Sequence, residues 1–125
     1  RRLTPGGRAA IQTITIEDER FDAYRSTPDF IQHYIFPGGA LPSPSIFTES
    51  AAKAGMAVSD NYFFGPSYAE TLRRWKEGFL AAWPEIRELG FDDRFHRMWL
   101  YYLCYCEAGF DTGKIDVAQF TIEHR

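Results

Sequence analysis

From Arg8 to Ile16 the chain alternates. Ala10, Gln12, Ile14 and Ile16 share one face and Ala9, Ile11, Thr13 and Thr15 the other, the period of a strand. Gln12 is the one amide on its face; buried there, it needs a partner, supplied either by neighbouring backbone or by a site. Glu17 to Thr27 is polar and acidic, with Phe21 and Tyr24 three apart, and predicts a connector with a short helical turn. Asp29 can cap a helix running to about Tyr34. A short helix is expected near Ser45 to Lys53, stopped by Gly55, then a second strand from Met56 to Phe64, ended by Gly65-Pro66.

Ser67-Tyr68-Ala69-Glu70 has the form of a capping box. The helix it opens places Leu72, Trp75, Phe79 and Trp83 on one stripe, with Arg73, Arg74, Lys76 and Glu77 largely off it. Pro84 is expected to break this helix or to start a short one ending at Leu89-Gly90. Asp92 caps a longer helix from Asp93 to about Asp111. Its buried face carries Phe95, Met98, Trp99, Tyr102, Leu103, Cys106 and Phe110, and Gly113 is its stop. Ile115 to Glu123 alternates again as a last strand. Strand, insertion, strand, two helices and strand make the class α/β.

The insertion holds an unusual loop, Phe30-Ile31-Gln32-His33-Tyr34-Ile35-Phe36-Pro37-Gly38-Gly39-Ala40-Leu41-Pro42-Ser43. Pro37 pushes Phe36 toward an extended shape, and Gly38 and Gly39 allow a sharp reversal. An apolar entry to a stiff tip suits a wall for an apolar ligand, or a loop that tucks its aromatics into its own core.

Composition narrows the field. The 125 residues make one domain or part of one, and 11 Phe, 7 Tyr and 3 Trp argue against disorder. A net charge of −3 offers no basic footprint for nucleic acid. No apolar run is long enough to cross a bilayer. Cys104 and Cys106 are two apart in a helical segment, point to nearly opposite faces and cannot pair, which suits a reducing compartment. His33, His96 and His124 lack ligand spacing, so no metal site is expected.

Ligands of open α/β sheets collect beyond the carboxyl ends of strands, and a helix N-terminus favours anions. Gln12 and Ile14 lie late in the first strand and Tyr68 just after the second, so the three can converge on a small anionic site; the alternative for Tyr68 is a core tyrosine.

Three blocks, in order, carry a resemblance: Tyr34-Ile35-Phe36-Pro37-Gly38-Gly39 with Leu41-Pro42-Ser43; Phe64 to Trp75 (FGPSYAETLRRW); and Phe95-His96-Arg97-Met98-Trp99-Leu100-Tyr101-Tyr102-Leu103 ending in Ala108-Gly109-Phe110. Over nearly its whole length the chain resembles the cyclopropane-fatty-acyl-phospholipid synthase (mycolic acid cyclopropane synthase-like) family. The resemblance implies a C-terminal half of a class I S-adenosylmethionine-dependent methyltransferase (Rossmann-like) sheet with a helical insertion that roofs the acyl pocket. Residues 1–125 would be the C-terminal part of a catalytic domain, with the donor-binding N-terminal half, and its Gly-rich loop, absent. The last strand would lie antiparallel at or near the sheet edge.

It further implies S-adenosylmethionine as donor and bicarbonate as base, with Ile14 and Tyr68 at the family's bicarbonate positions and Gln12 where the family has histidine. An amide can donate to bicarbonate but cannot carry a proton. The implied reaction methylates the double bond of unsaturated acyl chains of phospholipids and closes a cyclopropane ring. Alternatives are a methyl branch, another small or lipid acceptor, or a non-enzymatic module docking through Trp75, Phe79 and Trp83. Phe30, Tyr34, Phe36, Tyr62, Phe63 and Phe64 are candidate pocket walls, since aromatic faces suit a carbocation. Arg73-Arg74 would meet lipid phosphate or simply form a solvated face. The expected setting is cytoplasmic and peripheral to the membrane, and exposed strand edges predict a homo-oligomer.

Overall fold

The computed structural model describes residues 3–125. Thr4-Pro5-Gly6-Gly7 forms the turn ahead of the first strand. The Gly7 N–H donates to the Thr4 carbonyl at 2.8 Å, and Gly6 sits at φ +75°, a region glycine enters at no steric cost.

The strands are β1 (Arg8–Ile16), β2 (Met56–Phe63) and β3 (Ile115–His124). Between β1 and β2 run a 3-10 turn (Asp18–Arg20), α1 (Phe21–Ser26), a π-helical turn (Ile31–Ile35) and α2 (Pro44–Lys53). Between β2 and β3 run the long helices α3 (Gly65–Glu88) and α4 (Asp93–Asp111). The sheet order is β1-β3-β2, with β3 antiparallel to both neighbours. The last strand thus lies between the other two, antiparallel to both and one place from the edge of this sheet, as expected. Its burial explains the placement: Val117, Ala118 and Phe120 are all fully enclosed, so β3 needs a strand on each side and a helix layer on each face.

One face of the sheet carries α3 and α4. Ala69, Leu72, Leu103, Cys106, Phe110 and Val117 form the core there, with Ile14, Phe64 and Tyr68 at its margin. The other face carries α2, whose Phe47 stacks on Phe120 at 4.1 Å between ring centres. Ser43 caps α2 by accepting from the Ile46 N–H, Asp92 caps α4 by accepting from the Phe95 N–H at 2.9 Å, and Gly55 and Gly113 follow with positive φ.

Two local expectations fail at the ends of α3. Ser67 is not its cap: the helix begins two residues earlier, at Gly65, and Glu70 turns outward to Arg73 and Arg74. The cap comes from across the fold. Asp116 of β3 accepts from the Gly65 N–H at 2.7 Å and from the Val117 N–H at 2.8 Å. Pro84, in turn, does not end the helix. It deprives only the Leu80 carbonyl of its partner, and both residues face solvent, where water replaces the bond. Contacts with α4 flank this point: before it Trp83 meets His96 at 4.5 Å and Phe79 meets Phe95 at 6.4 Å, and after it Arg87 Nη1 lies 3.9 Å from Asp93 Oδ1. Phe79 and Trp83 are therefore engaged by α4, and of the predicted stripe only Trp75 is half exposed.

Candidate active site

The insertion after β1 folds back over the lower end of the α3–α4 face. The Ile16 N–H donates to the Pro42 carbonyl at 3.0 Å, and the Leu41 N–H donates to the Tyr24 hydroxyl at 2.9 Å. Asp29 and Gln32 cap the π-helical turn reciprocally: the Gln32 N–H donates to Asp29 Oδ1 at 3.0 Å and the Asp29 N–H to Gln32 Oε1 at 2.9 Å. Gln32 also reaches the Gly39 carbonyl, which pins the Pro37-Gly38 turn. Asp18 anchors the other end, accepting from the Ser45 hydroxyl at 2.8 Å. Hydrogen bonds from Ser43 and Ser45 hold its carboxyl below the usual range.

This roof encloses an apolar trough of two chambers. The inner one, about 350 Å³, is lined by Ile14, Gln32, Phe36, Tyr102 and Cys106. The outer one, about 460 Å³, extends past Ile16, Tyr105 and Gly109 to Arg20, Thr27, Thr112 and Lys114. Tyr24, Asp29, Ile31, Leu41 and Ile115 line both, so the chambers are continuous in their walls. Each falls in the size range of small-molecule sites. A smaller hollow on the α2 side, beside Glu17, Asp18 and Asp116, is acidic and suits neither an acyl chain nor an anion.

The trough is chemically quiet. Burial pushes the phenols of Tyr24, Tyr102 and Tyr105 up, and pushes the Cys106 thiol up to about 11. All stay protonated at neutral pH. The one carboxylate in the wall, Asp29, accepts from the Tyr105 hydroxyl at 3.3 Å.

The predicted site residues are distributed unevenly. Of the six aromatics proposed as walls, Phe36 alone lines the trough. Phe30 packs edge-on to Tyr101 at 4.6 Å on the outer side of α4, and Tyr34 covers Phe30 while 60% exposed. Tyr62 stacks on Phe64 at 5.7 Å and is 64% exposed. Phe63 points to the opposite face, against Phe120, because strand neighbours alternate. Phe64 borders the core beside Tyr68. The residues missed are Tyr24, Ile31, Leu41, Tyr102, Cys106 and Ile115. The i, i+4 pair Tyr102 and Cys106 on the buried face of α4 carried a signal; Tyr24 and Leu41 meet only through tertiary folding.

Gln12, Ile14 and Tyr68 do fall on one side of the sheet. Ile14 lines the inner chamber. Tyr68, in the first turn of α3, sits edge-on to Phe110 at 5.1 Å and to Phe64 at 6.4 Å. Its hydroxyl makes no hydrogen bond among the described residues, and since none of their buried side-chain polar atoms is unpartnered, that hydroxyl is open to a ligand. Gln12 is exposed, not buried, and its partner is a side chain and not backbone: Gln119 Nε2 donates to Gln12 Oε1 at 3.0 Å. The two are directly paired across β1 and β3. The pair leaves the Gln12 amide N–H₂ free to donate.

The profile of the mycolic acid cyclopropane synthetase family matches residues 1–120. The chain belongs to that family. It is 47% identical over 121 residues to the tuberculostearic acid methyltransferase UfaA1 of Mycobacterium tuberculosis, covering 96% of this chain and 28% of that protein. It is 36% identical over 119 residues to the cyclopropane-fatty-acyl-phospholipid synthase of Escherichia coli K12, covering 95% of this chain and 30% of that one. Among solved structures, the cyclopropane synthase MmaA2 from Mycobacterium tuberculosis superposes with a TM-score of 0.84 at 29% identity, over 96% of this chain and 45% of its own. The class I methyltransferase-like fold follows. The chain spans under a third of the length of the two curated relatives.

Proposed function

We propose that this chain is the acceptor-side part of an S-adenosylmethionine-dependent methyltransferase acting on the double bond of unsaturated fatty acyl chains of phospholipids. The observation that carries the reading is the largely apolar inner chamber bounded by Ile14, Phe36, Tyr102 and Cys106, with Asp29 its one charged residue, found in a member of a family whose relatives are named for fatty acyl methylation and cyclopropanation. The described residues offer the donor no cradle: β1 leads into Glu17–Arg20 and β2 into Gly65-Pro66, and neither exit is a glycine-rich loop before a helix. S-adenosylmethionine, which supplies the methyl group, is assigned outside this segment.

The work left to this chain is to hold the acyl chain, exclude water and keep a proton acceptor near the reacting carbons. The rings of Phe36 and Tyr102, 6.3 Å apart and edge to face, offer π density to a positive charge on the acyl chain. Bicarbonate fits the spare donors at the margin: the Tyr68 hydroxyl and the free N–H₂ of Gln12. Both can anchor the anion; neither takes over its proton at neutral pH. A cytoplasmic setting at the membrane surface accords with such a substrate, and among the described residues no helix is long and apolar enough to cross a membrane.

A second product is favoured by a specific observation. Gln12 replaces the histidine that the resemblance places there, and a relative at 47% identity is named for tuberculostearic acid methylation. A methyl branch in place of a ring is the corresponding outcome. Incubation of the enzyme with labelled S-adenosylmethionine and unsaturated phospholipid, followed by acyl chain analysis, decides between them. Label in ring-bearing chains supports cyclopropanation, and label in branched chains supports the second product. An active enzyme that leaves no label on lipid refutes both.

A further inference from the structure

Resting on the acyl reading above, we propose that the outer chamber is a subsite for the anionic end of the acyl substrate, read by Lys114 with help from Arg20. The two chambers differ in one respect. Arg20, Thr27, Thr112 and Lys114 line only the outer one, while the inner has no cation in its lining and no charge but the shared Asp29. Lys114 forms no ion pair among the described residues, whereas Arg20 shares its charge with Glu17, its Nε donating to Glu17 Oε2 at 2.8 Å. The opposing charge, Asp29, sits where the chambers meet and is held there by Tyr105 and Gln32. An amphiphile is therefore oriented one way only: its anion at Lys114, away from Asp29, and its chain running inward past Leu41 and Ile31 to Ile14. A hydrocarbon chain without an anion leaves the Lys114 charge unanswered.

The register sets the spacing. Ile14 pairs with Val117, and Lys114 stands three residues before Val117, just ahead of β3. At about 3.3 Å per residue the two levels are roughly 10 Å apart along the backbone. That separation selects a double bond in mid-chain over one next to the anionic end.

The shared chemistry is a cluster of anionic oxygens at the end of an acyl chain, which a phosphodiester or a free carboxylate can supply. Competitive displacement of a fluorescent fatty acid from the protein tests it. The competitors are oleate, oleyl alcohol and dioleoyl phosphatidylglycerol in nanodiscs. At low salt oleate is expected to compete about tenfold better than the alcohol, the value of one charge-assisted contact, and the preference should shrink as salt screens it. Lys114→Gln should reduce the preference to within about threefold and leave the alcohol's affinity unchanged. Arg20→Gln should have a smaller effect. Lys114 dependence for phosphatidylglycerol alone identifies the phosphodiester as the ligand; dependence for oleate as well shows that a carboxylate suffices; either supports the subsite. Equal competition by oleate and alcohol, with no competitor, phosphatidylglycerol included, altered in Lys114→Gln, overturns the subsite and leaves the acyl chamber standing. Failure of every acyl competitor removes the chamber itself, and the subsite with it.

Discussion

Tyr68→Phe removes a single oxygen and leaves a ring of the same shape. The ring's packing, edge-on against Phe110, Phe64 and Trp75 at centre distances of 5.1 to 6.4 Å, is unaffected. A typical buried tyrosine would lose a hydrogen bond with the oxygen, about 0.5–1.5 kcal/mol. Here the hydroxyl has no partner among the described residues, so stability should change by less than about 0.5 kcal/mol, or a melting shift of roughly 1–3 °C for a domain of this size. If the hydroxyl anchors the anion that removes the proton, the lost contact is a hydrogen bond to a charge, about 1.5–3 kcal/mol. Turnover of the active enzyme should then fall roughly 10- to 150-fold. The dependence on added bicarbonate should shift to higher concentration, while affinity for S-adenosylmethionine is retained. Tyr68→Ala provides the contrast: loss of the half-buried ring should cost about 3 kcal/mol, the low end for an aromatic truncation. Melting curves and bicarbonate-dependent rates on one preparation settle the matter. A folded Tyr68→Phe enzyme with turnover within twofold of the parent would falsify the assignment.

Asp116→Ala should destabilise the fold by about 1–2 kcal/mol in denaturant titration, since it uncaps α3 across the sheet; Ser67→Ala, at the capping residue the local pattern suggested, should cost far less. Gly109→Ala should cost about 1–3 kcal/mol in the same assay, because the added carbon would stand 2.7 Å from Ile115 Cγ1 on the trough wall. Thiol alkylation at pH 8 should label exposed Cys104 quickly and Cys106 slowly, with the fast phase lost in Cys104→Ser. Cys106 also sets a sign for alkaline stability. Its folded pKa is raised from 9.0 to about 11, so its contribution is full below pH 9 and declines between about 9 and 11 as the unfolded thiol ionises first; unfolding free energy that rises over that window in the parent, relative to Cys106→Ala, would contradict the burial of this thiol.

Local pattern by itself determined a great deal here. Period-two alternation placed the first and last strands, because residues facing a helix layer must recur at every second position. The 3–4 spacing of Phe95, Trp99, Tyr102, Cys106 and Phe110 placed α4, and Asp92, Gly55 and Gly113 marked ends whose chemistry is contained within a few residues. The ordered motifs also carried the family. What they did not determine depends on partners far away in the chain. The α3 cap is Asp116, 51 residues from Gly65, so the nearer Ser67-Glu70 pattern had no way of revealing that it goes unused. Pro84 continues a helix because α4 holds the segment on both sides. Strand order is likewise not written in alternation, which is the same for a central strand as for one at an edge; only the two helix layers closing on β3 put it between β1 and β2. The trough shows the same division. Its aromatic loop was legible, but of its residues Phe36 and Ile31 turn inward while Phe30 and Tyr34 cover the outside of α4. That choice is made by where α4 and the Pro37-Gly38 turn place the backbone, since a side chain's hydrophobicity says that it will be covered and not by what.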